Sequence, residues 1–166
     1  MNGPISPELL GRLLDEYGGA LALYARRWTD AADDCVQEAL VELAGQRVVP
    51  QNPVAWLFTV VGRRAISAAR RSQRRRRYEA AAAELSAIDQ KGGSGEIGAD
   101  EMFAVLDGLP NEQRDVIVAR IWGDLGFAEL GKLLGVSTAT AQRRYEAALA
   151  ALRERLGAVC LPKKKT

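Results

Sequence analysis

The feature that most constrains this chain is a run of arginines set into a helical pattern. From Pro53 onward, Val54, Leu57, Phe58, Val61 and Ala65 recur mostly at steps of three and four, the spacing of one helix face. The pattern runs on into residues 63–77, which hold eight arginines and no acid. Such a block repels itself unless a polyanion neutralises it. A helix over residues 53–77 would be about 37 Å long at ~1.5 Å per residue. One end of it can pack, and the other is a cationic rod.

The formal net charge of +2 hides this asymmetry: residues 1–62 carry −4, 63–77 carry +8, 78–110 carry −6 and 111–166 carry +4. A length of 166 residues fits one ordinary domain or two small ones, and 48% hydrophobic residues suffice for a packed core. No apolar run reaches the roughly 20 residues of a membrane-spanning helix, so membrane insertion is not expected. Met1–Leu10 lacks a basic segment followed by an apolar one, so no secretory signal is expected. Cys35 and Cys160 are too few for a disulfide scaffold or a zinc site and are expected to be reduced, in a cytoplasmic protein. The absence of histidine removes His-based acid–base chemistry and most transition-metal sites. No glycine-rich phosphate cradle is present either. The chain is therefore not expected to be an enzyme or to hold a cofactor or metal.

Periodicity is helical nearly everywhere, which predicts an all-α fold. Ser6-Pro7-Glu8 reads as a capped helix start, with a bend or break expected at Gly18-Gly19 before the helix resumes to Trp28. Thr29-Asp30 is expected to start a second helix, ending near Gly45, and Val48-Val49-Pro50 marks a loop. Alanines at 78–85 extend the arginine helix. Residues 86–99, rich in glycine, have linker composition. Helices are expected over Glu101–Leu109, Asn111–Ile121 and Phe127–Leu134. After the Gly135-Val136 turn, Ser137 caps a final helix to about Leu156, and Lys163–Lys165 form a tail. The expected organisation is two small helical domains, 1–85 and 100–158, joined by the flexible linker 86–99 and followed by the tail 159–166. The second domain is a helix-turn-helix.

In the last helix, Ala141, Tyr145, Ala148, Leu149, Leu152 and Leu156 form a core stripe. Ala139, Thr140, Arg143, Glu146 and Ala147 lie opposite, flanked by Gln142 and Arg144. Arginine can bond guanine in two places and glutamine can do so with adenine, so this face suits a major groove. A helical hairpin with a solvated charged face has the same pattern. Asp33, Asp34, Gln37 and Glu38 fall at helical spacing. Without a further acidic helix or histidine to complete a cage, they point to a protein-docking face or a solvated one. Trp56 suits either base stacking or the core rim.

Four stretches, in order, resemble one family. They are Ala32-Asp33-Asp34-Cys35-Val36-Gln37-Glu38-Ala39-Leu40; Asn52-Pro53-Val54-Ala55-Trp56-Leu57-Phe58 with its arginine continuation; Leu106-Asp107-Gly108-Leu109-Pro110-Asn111-Glu112-Gln113-Arg114; and Phe127–Leu156. The chain resembles the extracytoplasmic-function sigma factors over about residues 15–157. That resemblance implies an initiation factor that binds core RNA polymerase and promoter DNA, and it allows for an anti-sigma factor, which no residue names. It implies polymerase docking through Asp33, Asp34, Gln37 and Glu38. It implies capture of a flipped minus-ten base by the loop that ends in Gln51 and Asn52, with Trp56 in the helix that holds the melted strand. Phosphates would meet Arg63, Arg64, Arg70, Arg71 and Arg74. Thr138, Thr140, Gln142, Arg143 and Arg144 would meet the minus-thirty-five element. Gly126 stands where the family usually caps with Ser or Thr, and Gly131 where alanine is usual. A regulator that never engages polymerase, or an all-helical protein-interaction adaptor, would share parts of these patterns.

Overall fold

The computed structural model describes residues 5–82, 105–106 and 108–160. The expected linker 86–99, the lysine tail and most of the expected helix Glu101–Leu109 lie outside the described residues. Helix α1 spans Pro7–Ala25, α2 Ala32–Ala44, α3 Pro53–Ala82 and α4 Asn111–Ile117. A π-helical turn over Val118–Trp122 continues α4, and α5 (Phe127–Leu134) and α6 (Thr138–Cys160) follow. The described residues contain no strand.

The first three helices pack pairwise on one another. Ser6 caps α1 by accepting from the Leu9 N–H at 3.2 Å, with Pro7 at the first helical position. The expected bend at Gly18-Gly19 does not occur, and α1 runs unbroken to Ala25. Leu21, Leu23, Tyr24 and Ala25, just beyond the glycines, are buried, and that packing outweighs the weak helix propensity of glycine. The expected start of α2 at Thr29-Asp30 also shifts. The Thr29 hydroxyl accepts from the Ala31 N–H at 3.2 Å, and the helix begins at Ala32. In α3 the predicted stripe is buried at Leu57, Phe58, Val61 and Ala65, but from Arg70 to Ala81 every residue is exposed. Packing thus supports only the first half of α3.

In the second part, α6 packs on both α4 and α5. The expected helix to Ile121 turns π-helical from Val118, where the Gly123 N–H reaches the Val118 carbonyl at 3.1 Å. The turn closes at Asp124, which has φ 50, and Arg120 donates to the Leu125 carbonyl at 3.0 Å. These bonds stand in for the missing α-helical ones. Gly126 has no side chain to cap α5, but Glu129 supplies the other half of a capping box by accepting from the Gly126 N–H at 2.9 Å.

The α5–α6 turn explains two glycines. Gly135 has φ 67, a left-handed conformation that costs other residues energy. At Gly131 an added Cβ would lie 2.8 Å from the Val136 carbonyl oxygen, so only a bare backbone lets the turn close over α5.

The two parts are packed together. α1 meets the π-helical turn and α3 meets α5, and a single apolar cluster runs through both parts. Tyr24 stacks edge-on against Phe58 and Trp28, with ring centroids 5.3 and 5.1 Å away. Phe58 also lies against Gly123, where a Cβ would come within 2.5 Å of the ring. Asp115, 1% exposed, bonds the guanidinium of Arg27 across this junction.

Two expectations follow. Gly135→Ala should lower stability by about 1 kcal/mol, read by chemical denaturation, and Gly135→Asn by less, because asparagine tolerates positive φ better. Burial pushes the Asp115 carboxyl up to about 6 from an ordinary 3.8, against the pull of Arg27. The folded chain therefore holds that proton more tightly than the unfolded one. Its contribution to stability is present below pH ~4 and lost as pH rises through about 6. Asp115→Asn should flatten stability against pH across that window.

Candidate nucleic-acid interface

The end of α6 that follows the glycine turn is the first candidate surface. The Ser137 hydroxyl oxygen accepts from the Thr140 N–H at 3.1 Å, which caps the helix as its sequence predicts. Ser137 also donates to the Thr140 hydroxyl oxygen at 2.9 Å. Phe127 of α5 meets Tyr145 of α6 edge-on at 5.6 Å, and the Arg120 guanidinium lies over Phe127 at 5.1 Å. These contacts hold α6 at a set angle to α5. Ala141 and Ala148 are buried, whereas Thr138, Ala139, Gln142 and Arg143 are exposed. Gln142 donates to Glu146 at 3.2 Å and Arg143 to the Thr140 hydroxyl at 3.3 Å. Both bonds are exposed and readily exchanged for others. Arg144 sits differently, in an ion pair with Glu112 of α4 at 3.1 Å. It braces α6 against α4, while Arg143 faces outward.

The arginines of α3 divide into two sets. Arg64 reaches Glu38 and Glu42 of α2, each at 2.6 Å, and Arg63 reaches Glu42 at 2.8 Å. Burial would raise the Glu42 carboxyl, but the hydrogen bonds from Arg64 and Arg63 outweigh it and hold it below its ordinary value. For Arg64, burial works against the charge, and the two glutamates more than offset it. These two arginines lock α3 onto α2. Arg70, Arg71 and Arg74 are exposed and have no ion-pair partner among the described residues, while Arg75 pairs with Glu79 one turn on at 2.9 Å. Arg71 and Arg76 line a cleft shared with Arg26, Trp28 and Thr29 of the α1–α2 turn.

On α2, Asp33, Asp34 and Gln37 are exposed on the face turned from the core. Glu38 borders it, half-exposed and tied to Arg64. Val41, 72% exposed, extends that face as an apolar spot. Cys35 is buried beneath it, and burial pushes its thiol above the ordinary value.

The α2–α3 loop ends in Gln51, which is exposed, and Asn52. The Asn52 side-chain oxygen caps α3 by accepting from the Ala55 N–H at 3.0 Å. Its amide nitrogen donates to Glu129 of α5 at 2.6 Å. Trp56 is partly buried and packs against the core cluster.

The structure therefore brings Glu38 together with Arg64, leaves Asp33, Asp34 and Gln37 on the outer face of α2 and Arg70, Arg71 and Arg74 in the open, and joins Asn52 to the helix-turn-helix. Glu42, Arg27, Asp115 and Glu129 were not singled out by sequence. Asp115 carried a visible signal, a lone acid ahead of the apolar run Val116–Ala119. The cap role of Glu129 was visible too, but its contact with Asn52 crosses 77 positions and has no local pattern.

Residues 13–75 match the family profile for sigma-70 region 2, and residues 105–154 the profile for sigma-70 region 4. The two packed parts thus correspond to regions 2 and 4 of a sigma-70-type factor. The chain is 34% identical over 148 residues to the ECF RNA polymerase sigma factor SigK of Mycobacterium ulcerans (strain Agy99), covering 82% of this chain and 79% of that protein. It belongs to the ECF RNA polymerase sigma factors. Among solved structures it is similar to the sigma factor RpoE, solved with the anti-sigma factor NepR from Bartonella quintana. That match has a TM-score of 0.61 and 21% identity and covers 92% of this chain and 98% of that one. It is also similar to CnrH, solved with the cytosolic domain of CnrY, with a TM-score of 0.54 and 25% identity over 92% of this chain and 90% of that one. No described helix is long and apolar enough to cross a membrane.

The two sets of arginines should separate experimentally. Arg71→Ala with Arg74→Ala should leave stability within about 0.5 kcal/mol. The same pair should shallow the dependence of log affinity on log salt by roughly 0.9 for each phosphate no longer neutralised, read by DNA-binding titrations. Arg64→Ala should instead cost about 1 kcal/mol of stability, read by denaturation, because its pairs are only partly exposed.

Proposed function

We propose that this sigma factor directs core RNA polymerase to promoters by reading two DNA elements with two surfaces. The observation that carries this reading is the pairing, on one chain, of an uncovered cationic half of α3 with a capped helix whose exposed start offers Thr138, Gln142 and Arg143. On the upstream, minus-thirty-five element, Gln142 and Arg143 face base edges in the major groove, and Thr138 and Thr140 bond phosphates. Arg144 supports them by holding α6 on α4.

At the minus-ten element, Gln51 and Asn52 meet an unstacked base, which alone exposes its Watson–Crick edge. Trp56 backs that loop from α3. Arg70, Arg71 and Arg74 follow the phosphates, with Arg63 and Arg64 nearest the core fold. Strand opening follows from binding the flipped base more tightly than the paired one. Asp33, Asp34, Gln37 and Glu38, with Val41 beside them, form the surface for core polymerase. An anti-sigma factor is the further expected partner, the kind of protein with which the RpoE neighbour was solved.

The test is reconstituted transcription. The chain plus core polymerase should yield promoter-specific transcripts from a genomic library that core alone does not. Arg143→Ala should weaken upstream-element binding by about 1–3 kcal/mol in footprint titrations. Glu38→Lys should weaken binding to core polymerase while leaving DNA contacts of the helix-turn-helix intact. No promoter-dependent product with the wild-type chain would reject the proposal.

A further inference from the structure

The outward face of α6 carries an acid that the two-surface reading does not use. At about 100° per residue, Gln142 and Arg143 border a sector of the helix, and Glu146, one turn beyond Gln142, falls between them. All three are exposed, and so are Ala139, Ala147 and Ala150 around them. The alanines project little, so the carboxylate stands clear and can come close to a partner surface. Glu146 has no ion pair among the described residues, and it accepts from the Gln142 side-chain amide at 3.2 Å. Arg143 reaches away from it, donating to the Thr140 hydroxyl oxygen at 3.3 Å.

An acid in the middle of a face that meets DNA is costly, because it repels phosphate and gives up water on contact. A donor on the DNA offsets that cost, and the major groove offers one at a definite place. A carboxylate only accepts. Cytosine shows the groove a lone donor, its N4 amino group. Adenine shows an amino donor beside the N7 acceptor, whereas guanine and thymine show acceptors alone. Gln142 sharpens the same choice. Its amide nitrogen is the end that can meet a carboxylate, so its amide oxygen is the group left for a base.

We infer that Glu146 is a specificity-determining residue of the upstream-element surface, selecting cytosine at one position by accepting from its N4 amino group, with Gln142 held beside it as a second acceptor. The inference rests on the proposed two-surface reading and adds the base that one part of that surface chooses.

The test uses holoenzyme reconstituted from core polymerase and the full-length chain, with promoters whose upstream element is randomised. Sequencing of the bound templates should show cytosine enriched at one position for the wild type. Glu146→Ala should lose that enrichment and keep the rest of the element. Glu146→Arg should move the preference at that same position to guanine, whose O6 and N7 a guanidinium bonds in two places. Preferences unchanged at every position in both variants, or affinity raised equally for all sequences, would overturn the inference alone, since a solvated acid acts only through its charge. A wild type that enriches no upstream sequence would overturn the two-surface reading, and this inference with it. A second measurement removes the donor from the DNA instead. A pyrimidine lacking the 4-amino group, set in place of the enriched cytosine, should weaken binding of the wild type by roughly fivefold or more and that of Glu146→Ala by less than about twofold. Equal losses in both would assign the contact to another residue and overturn the role of Glu146.

Discussion

The junction depends on a carboxylate taken out of water. Asp115 sits at 1% exposure beside Val116 and Ile117, near enough to Tyr24 for its charge to act on that phenol. An isolated buried charge costs several kcal/mol, and only a well-placed partner offsets it. Arg27 is that partner, offsetting part of the cost while burial still prevails, and it comes from the other half of the chain. Its guanidinium also lies 4.8 Å above the Trp28 ring, which orients it toward the acid. Tyr24 responds to the same environment: burial first, and then the nearby Asp115 charge, push its phenol above the ordinary value. The pair is therefore more informative about arrangement than about stability. It ties α4 to the turn that follows α1, and so sets the placement of the helix-turn-helix relative to α3.

The second constraint is the crowding of positive charge on α3. The helix accommodates it by position. Where α3 lies on the core, Arg63 and Arg64 are neutralised by Glu38 and Glu42. Where it leaves the core, the arginines stand in water and repulsion is screened over about 10 Å at ordinary salt. The acids of α2 thus have two uses. Those facing α3 hold two helices together, and those facing outward form the candidate docking surface. Glu38 lies on the border and takes part in both.

Much of this was legible in the sequence because it rests on local rules. The stripe of Leu57, Phe58, Val61 and Ala65, the Ser137 cap and the turn at Gly135 each follow from spacing or backbone sterics over a few residues. The misses share a cause. Gly18-Gly19 reads as a break, yet the burial of Leu21 through Ala25 overrides it, and that burial is a tertiary fact. The π-helical turn after Ile117 depends on Phe58 and Leu125 closing around Gly123. Arg144 and Arg143 are neighbours with the same chemistry, and only the position of Glu112 on α4 separates their roles. The contacts between the two parts, 88 positions apart for Arg27 and Asp115, have no periodicity from which to read them.

Asn52 carries a consequence for how such a chain can drift in sequence. One amide performs two tasks: its oxygen starts α3 and its nitrogen holds α5. Aspartate would keep the first and set a carboxylate against Glu129. Serine would also cap but offers a shorter reach, and glutamine is a poor cap. Glu129 is bound in the same way, closing its own helix start with one oxygen and meeting Asn52 with the other. Each of the two positions is thus tied to the other by geometry, and neither can change without altering both a helix end and the junction. Substitutions tolerated in either half alone would be filtered here as a pair.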